Sequence, residues 1–145
     1  MTTNTAGSSA RQDPRQVSNT MRGSIVFNSA AATATFIPIG VLPKGAWVIA
    51  VHLSVDTAFN AGTTNTVDVG TSGAPTQFHS GVAGGSVAVT AAAATTLGKA
   101  AAAAADTTVG IRYNFTGTAP TTGACEVMIE YEGGFASTAG VEFSG

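Results

Sequence analysis

The amino-acid sequence predicts an all-β protein, a jelly-roll-like antiparallel β-sandwich of about eight strands with extended N- and C-terminal arms. Apolar residues recur at every second position in three segments, which is the pattern of a strand with one face in a core. Short apolar runs elsewhere are separated by turns rich in Gly and Pro. The chain also has 14 valines against 3 leucines, and β-branched residues favour strands.

The alternation is clearest over residues 46–56, 107–115 and 125–132. In each segment we expect the odd-numbered residues to face the core and the even-numbered ones to face outward. The expected inward residues are Trp47, Ile49, Val51, Leu53, Val55, Val109, Ile111, Tyr113, Phe115, Cys125, Val127, Ile129 and Tyr131.

Shorter strands complete the predicted sandwich. They are expected over 24–27, 33–39, 66–70, 77–79 and 86–90, with turns at 42–45, 60–62, 72–75 and 83–85. Pro38 cannot donate a hydrogen bond to a sheet, so it predicts an edge strand or a bulge. The alanine-rich runs 91–94 and 100–105 are expected to be loop or strand, because Thr and Gly interrupt them and they lack an amphipathic stripe.

The two ends of the chain differ from its middle. We expect residues 1–23 to form a flexible, polar and basic arm, 24–132 to form the sandwich, and 133–145 to form a C-terminal extension. Candidate contacts to a partner chain within these ends are Arg11, Arg15, Arg22, Phe135, Val141 and Phe143. The alternatives are a frayed N-terminus, and a tail that folds back onto its own domain.

Composition excludes several classes of function. Charged residues form 10% of the chain, with 6 Lys and Arg against 8 Asp and Glu. So few basic residues leave no electrostatic footprint for nucleic acid or an anionic membrane. No apolar run approaches the roughly 18 residues of a membrane span, and the polar first residues do not resemble a signal peptide. We therefore expect synthesis in the cytoplasm.

No set of residues predicts an enzyme, a metal centre or a cofactor site. His52 and His79 are separate in sequence and belong to no ligand pattern, so we interpret them as surface or strand-end residues. Cys125 cannot form an internal disulfide and is expected to be a packed, unreactive thiol. The match to the glycosylation sequon at Asn114 is expected to be accidental.

Three glutamates lie on the outward side of the last predicted strand. Glu126, Glu130 and Glu132 alternate with apolar residues, which predicts one negative, solvated face. Its role is either electrostatic docking or solubility alone, and solubility is the default interpretation.

Three motifs carry a resemblance to a known group of proteins. They are GVLPKGAW at 40–47, TAFNAG at 57–62 and TVDVGT at 66–71. With the charge-poor, Ala- and Thr-rich remainder, the chain resembles small virion proteins of tailed bacteriophages over residues 24–132. More narrowly, it resembles the jelly-roll capsid cement (head decoration) proteins of Bordetella-type podophages.

The resemblance implies a non-enzymatic virion protein on the outer surface of a phage capsid. Such a protein stabilises the shell by bridging neighbouring major capsid protein subunits of the HK97-type fold. The resemblance also implies a homo-oligomer, a dimer in preference to a trimer, and no cofactor. The alternative is a tail-fibre or baseplate β-sandwich module that binds host surface glycan, since jelly rolls also occur in lectins. The expected inward positions of Trp47 and Tyr131 weaken that alternative.

Overall fold

The computed structural model describes residues 18–29, 33–92 and 103–133. These residues form eight antiparallel strands and no helix. The strands are β1 (Asn19–Val26), β2 (Thr35–Leu42), β3 (Trp47–Thr57), β4 (Thr64–Thr71), β5 (His79–Ala83), β6 (Ala88–Ala91), β7 (Thr107–Thr116) and β8 (Ala124–Glu132). Within this part of the chain there is no candidate for a membrane-spanning helix.

The strands form two four-stranded sheets that pack face to face. The first sheet has the order β1-β8-β3-β6, and the second has the order β2-β7-β4-β5. Only β4 and β5 follow one another within a sheet, whereas every other connection crosses between the sheets. This order is that of a jelly roll, in which two Greek keys are wound together. The predicted fold class is therefore confirmed.

The core lies between the two sheets and consists largely of valine and isoleucine. A Phe59–Tyr113 stack, with ring centroids 4.3 Å apart, adds the largest side chains. Each fully buried aliphatic side chain stabilises the fold by about 1.5–3 kcal/mol. The buried apolar residues are Ile25, Leu42, Ala46, Val48, Val51, Leu53, Val55, Phe59, Val67, Val69, Phe78, Val82, Val109, Ile111, Tyr113, Cys125, Val127 and Ile129.

The expected inward faces of β7 and β8 are confirmed, but the start of β3 differs. Val48 is fully buried and Ile49 is 38% exposed, so the prediction for Ile49 was wrong. Trp47 lies opposite Glu132 and is only half-buried. The register between β3 and β8 shifts between Val48 and Ala50. One extra residue in a strand reverses the facing of the residues on one side of it.

The structure of the edge strands β1 and β2 refines the prediction for this part of the chain. β1 begins at Asn19, so residues 19–23 belong to a strand rather than to the arm. Pro38 lies in the edge strand β2, where the register shifts between Pro38 and Gly40, as its lack of an N–H predicts. β1 and β2 lie so close together there that a Cβ added at Gly23 would meet the Ile39 side chain. The alanine-rich residues 93–102 lie outside the described part.

Candidate interaction surfaces

The outer surface of the first sheet, which we call the first-sheet face, combines charged and apolar side chains. β-pairing places residues of β1, β8, β3 and β6 side by side in rows across the sheet. A shallow depression of about 100 Å³ lies among them. It is lined by Arg22, His52, Ser54, Val89, Glu126 and Met128.

Arg22 is the only candidate contact residue from the sequence that lies within the described part of the chain. Its guanidinium lies 3.5 Å from Glu126 Oε1, and it also donates to Met128 Sδ at 3.5 Å. The two charged side chains are 66% and 46% exposed, so this ion pair contributes little to stability. The remaining candidates, Arg11, Arg15, Phe135, Val141 and Phe143, lie outside the described residues.

The glutamates of β8 lie on this face, as predicted. Glu126 and Glu130 alternate with the buried Val127 and Ile129. Ser18 Oγ donates to Glu130 Oε1 at 3.2 Å. Across residues 18–29, 33–92 and 103–133, no three His, Cys, Asp or Glu side chains are placed to hold a metal ion.

The outer surface of the second sheet holds a buried charge that the sequence analysis missed. Asp68 on β4 is 4% exposed. Its Oδ2 accepts hydrogen bonds from Arg112 Nη2 at 2.7 Å, Arg112 Nε at 3.1 Å and Asn114 Nδ2 at 2.6 Å. Its Oδ1 accepts one from the Gly81 N–H at 2.7 Å. We call Asp68, Gly81, Arg112 and Asn114 the Asp68 cluster.

The Asp68 cluster holds its carboxyl in the ionised form. Burial alone would raise the pKa of Asp68, but the hydrogen bonds from Gly81, Arg112 and Asn114 and the charge of Arg112 lower it below the ordinary 3.8. A carboxylate with four donors cannot easily accept a further proton, so it is poorly suited to general-base catalysis. The arrangement instead ties β4, β5 and β7 together.

His79, at the start of β5, lies near this carboxylate without bonding to it. Its Nε2 is buried and has no hydrogen-bond partner in the described part of the chain. Burial lowers the pKa of His79 below 6.5, although the nearby charge of Asp68 opposes the shift. The imidazole is therefore neutral near pH 7. His79 begins β5, whereas the sequence predicted that it ends a strand.

Cys125 is buried, as predicted. Its side chain is 1% exposed, and burial, together with the charge of Asp56, raises the pKa of its thiol to about 12. A nucleophilic cysteine requires a lowered pKa and access to solvent. The thiol therefore acts as a core residue.

The first and the last of the described strands lie side by side in the first sheet. Asn19 at the start of β1 lies opposite Tyr131 near the end of β8. The chain segments before residue 18 and after residue 133 are therefore attached to neighbouring strands, at the same end of the first sheet.

The two most exposed large apolar side chains of the described residues lie at the β6 edge of the first sheet. Val87 and Val89 are 68% and 73% exposed, compared with 53% for Val41 on β2 and 46% for Val26 on β1. The two most exposed valines thus lie in or beside the edge strand β6.

The fold is similar to that of chains in bacteriophage capsids. No protein-family model matches the sequence, and none of the curated proteins does. A chain of the cyanophage Pam1 capsid asymmetric unit is 24% identical with a TM-score of 0.63, and the match covers 91% of this chain and 99% of that one. A chain in the acid-stable capsid of Helicobacter pylori bacteriophage KHP30 is 20% identical with a TM-score of 0.59, over 82% and 90% of the two chains. A chain in the capsid of Ralstonia phage GP4 is 23% identical with a TM-score of 0.60, over 85% and 88%.

Proposed function

We propose that this protein is a non-enzymatic structural component of a bacteriophage virion. It decorates the outer surface of the capsid and cements it by bridging neighbouring major capsid protein subunits of the HK97-type fold. The observation that carries the proposal is the extent of the structural match. The match covers 88–99% of three chains found in phage capsids, so the likeness extends over nearly the whole of each of those chains.

The surface chemistry supports a contact with protein. The two described arginines on the outer faces are each paired with a carboxylate, in Arg22–Glu126 and Arg112–Asp68. Exposed valines and small polar residues occupy much of the remaining surface, a composition that suits protein interfaces poor in unpaired charge. A cement protein binds at many repeated sites, so contacts that are modest individually become collectively strong.

In this proposal the two terminal segments reach neighbouring subunits. Arg11 and Arg15 of the N-terminal segment, together with Arg22 on β1, supply basic contacts, and Phe135, Val141 and Phe143 supply apolar ones. The pairing of Asn19 with Tyr131 supports the idea, because both segments then start at one end of the first sheet. Two extensions attached at one place could grip the same neighbouring subunit.

Copy number per particle tests the proposal most directly. Quantitative mass spectrometry of purified virions of the phage that encodes the chain should give a count comparable to that of the major capsid protein. A few copies would indicate a tail or fibre component and contradict the cement role. Absence from virions would refute a structural role in the particle altogether.

The terminal segments are tested by truncation. Because β1 begins at Asn19, a deletion of residues 2–17 leaves every described strand intact. We expect its thermal unfolding midpoint to match that of the full chain, while its co-sedimentation with capsids lacking this protein weakens. The matched variant Arg22→Gln separates the contribution of the strand arginine from that of the arm. Unchanged co-sedimentation of the truncated protein would show that the arm does not bind.

One observation favours the glycan-binding alternative. Trp47 was expected to face the core, but it is half-buried at the outer face beside Glu132, so an aromatic platform is accessible there. Trp47 is the single tryptophan of the chain, and its fluorescence therefore reports directly on ligand binding. A saturable change on titration with host surface polysaccharide, abolished in Trp47→Ala, would favour the fibre role; an unchanged spectrum would exclude a glycan at this position.

A further inference from the structure

The edge strand β6 has an open side. Its inner side pairs with β3, from Val55 opposite Ala88 to His52 opposite Ala91. Among the described residues, no strand pairs with its outer side. The segment from 86 to 92 contains no charged residue and no proline. An edge of this kind is a template for pairing with another strand.

The other three edge strands carry features that discourage such pairing. β1 carries the charge of Arg22 and lies close to β2, where Gly23 faces Ile39. β2 contains Pro38 and a register shift beside it. β5 contains Gly81 at a φ of 66° and adjoins a register shift between Val67 and Val69. Charges, prolines and bulges are the usual protection of sheet edges, and in the described part of the chain β6 lacks all three.

Hydrogen bonding shows which groups of β6 face outward. Ala92 N donates to Val51 O at 2.9 Å, immediately after Ala91 lies opposite His52. In an antiparallel pair only alternate residues exchange backbone hydrogen bonds with the neighbouring strand. Thr90 and Ala88 therefore point their N–H and C=O groups at β3, and Val89 and Ala91 point theirs at the open side.

We propose that β6 pairs antiparallel with β6 of a second copy of this chain, about a two-fold axis at Val89. Val89 then lies opposite its own copy and Val87 lies opposite Ala91, so that the two first sheets form one continuous eight-stranded sheet. This register joins outward-pointing backbone groups to outward-pointing groups on both strands. It also brings no like charges together, because the segment has none.

The inference names a surface for the homo-oligomer that the resemblance implies, and it does not depend on capsid binding. The occupant is a second copy because the segment is complementary to itself. The same outward groups, at the same spacing and with the same small apolar side chains, are available on both sides of the axis. The pairing also covers Val87 and Val89, which are the most exposed large apolar side chains among the described residues.

Solution mass tests the dimer. Sedimentation equilibrium of the full chain should show a monomer–dimer equilibrium, and Val89→Lys should raise the dissociation constant by at least about tenfold, because it places two ammonium groups opposite each other. Val41→Lys is the matched control, since it changes an exposed valine on the edge strand β2, and it should leave the constant unchanged. A wild-type monomer at all concentrations, or equal effects of the two variants, would overturn the proposal.

Cross-linking tests the register. Opposed residues in a hydrogen-bonded antiparallel pair have Cα atoms about 5.5 Å apart, within the range that a disulfide spans. Val89→Cys should therefore form a covalent dimer under mild oxidation, against a low background because Cys125 is buried. Val41→Cys should remain monomeric under the same conditions, and equal cross-linking of both would contradict the register. A covalent dimer that does not bind capsids would refute the cement role alone, and a monomer that binds them would refute the β6 pairing alone.

Discussion

Replacing Asp68 by asparagine should destabilise the domain strongly. The Asp68→Asn variant keeps the shape of the side chain but removes its charge. An amide NH₂ group at the Oδ2 position would face the N–H donors of Arg112 and Asn114, which would then have no acceptor there. At the Oδ1 position it would instead face the Gly81 N–H. Either orientation leaves at least one donor of the Asp68 cluster without its acceptor.

The magnitude follows from the number and kind of bonds lost. A hydrogen bond to a charged group is worth about 1.5–3 kcal/mol, and breaking a buried ion pair costs about 3–5 kcal/mol. Asp68 has a side chain 5% exposed, but that of Arg112 is 26% exposed and regains part of its hydration. We therefore expect a loss of about 2–4 kcal/mol in the free energy of unfolding, a large share of the roughly 5–15 kcal/mol typical of a domain.

Urea denaturation followed by Trp47 fluorescence measures this loss. The matched control is Asp56→Asn, because Asp56 is an exposed carboxylate on β3 that accepts one bond from Ser54 Oγ at 2.6 Å. We expect the free energy of unfolding of this control to lie within about 0.5 kcal/mol of the wild-type value. An Asp68→Asn variant as stable as the control would refute the assignment of the Asp68 cluster as a structural tie.

The pH dependence gives a second, independent measurement. The pKa of Asp68 is lower in the folded state than the ordinary 3.8, so the unfolded chain binds the proton more readily. The stabilisation is therefore complete above pH 3.8 and is lost as the pH falls through the folded-state pKa. We expect the difference in stability between wild type and Asp68→Asn to narrow on acidification in that window. A constant difference would show that the charge is not the cause.

Three further outcomes follow from burial and backbone geometry. Gly123→Ala should lower the free energy of unfolding by about 2–4 kcal/mol, because φ at Gly123 is 141° and the added Cβ meets the Phe59 ring. Gly73→Ala is the control: its added Cβ has open space around it, so the free energy of unfolding in the same urea measurement should be nearly unchanged. The pKa of His79 is lowered by burial, so wild-type stability should fall as the pH drops below 6.5, and urea midpoints of His79→Gln should fall less. Cys125 should react with a thiol reagent only after unfolding, and rapid labelling of the native protein would contradict its burial.

The facing of most strand residues could be predicted because it depends on a local pattern. In β7 and β8 the apolar residues alternate without interruption, and apart from Gly110 the buried positions follow that alternation. The start of β3 could not be predicted in this way. Trp47, Val48 and Ile49 are all apolar, so an apolar side chain would be buried whether the odd-numbered or the even-numbered residues faced the core. The bulge against β8 decides which of these residues is buried.

The Asp68 cluster could not be predicted for a different reason. Asp68 lies between two valines of an alternating strand, a position that favours exposure to solvent. Arg112 lies 44 residues away along the chain, and only the register between β4 and β7 places the two residues opposite each other. The motif around Asp68 supported the resemblance to virion proteins, but it gave no sign that the carboxylate is buried.

By itself, the sequence determined the strand-forming segments, the all-β class, the low surface charge and the lack of an internal disulfide. Those properties depend on composition and on neighbours a few residues apart along the chain. Only the tertiary structure decided the order of the strands, the burial of Asp68 and the position of β6 at an open edge. These depend on pairing between distant segments, where backbone hydrogen bonds are the same for every residue type and packing across both sheets selects one arrangement.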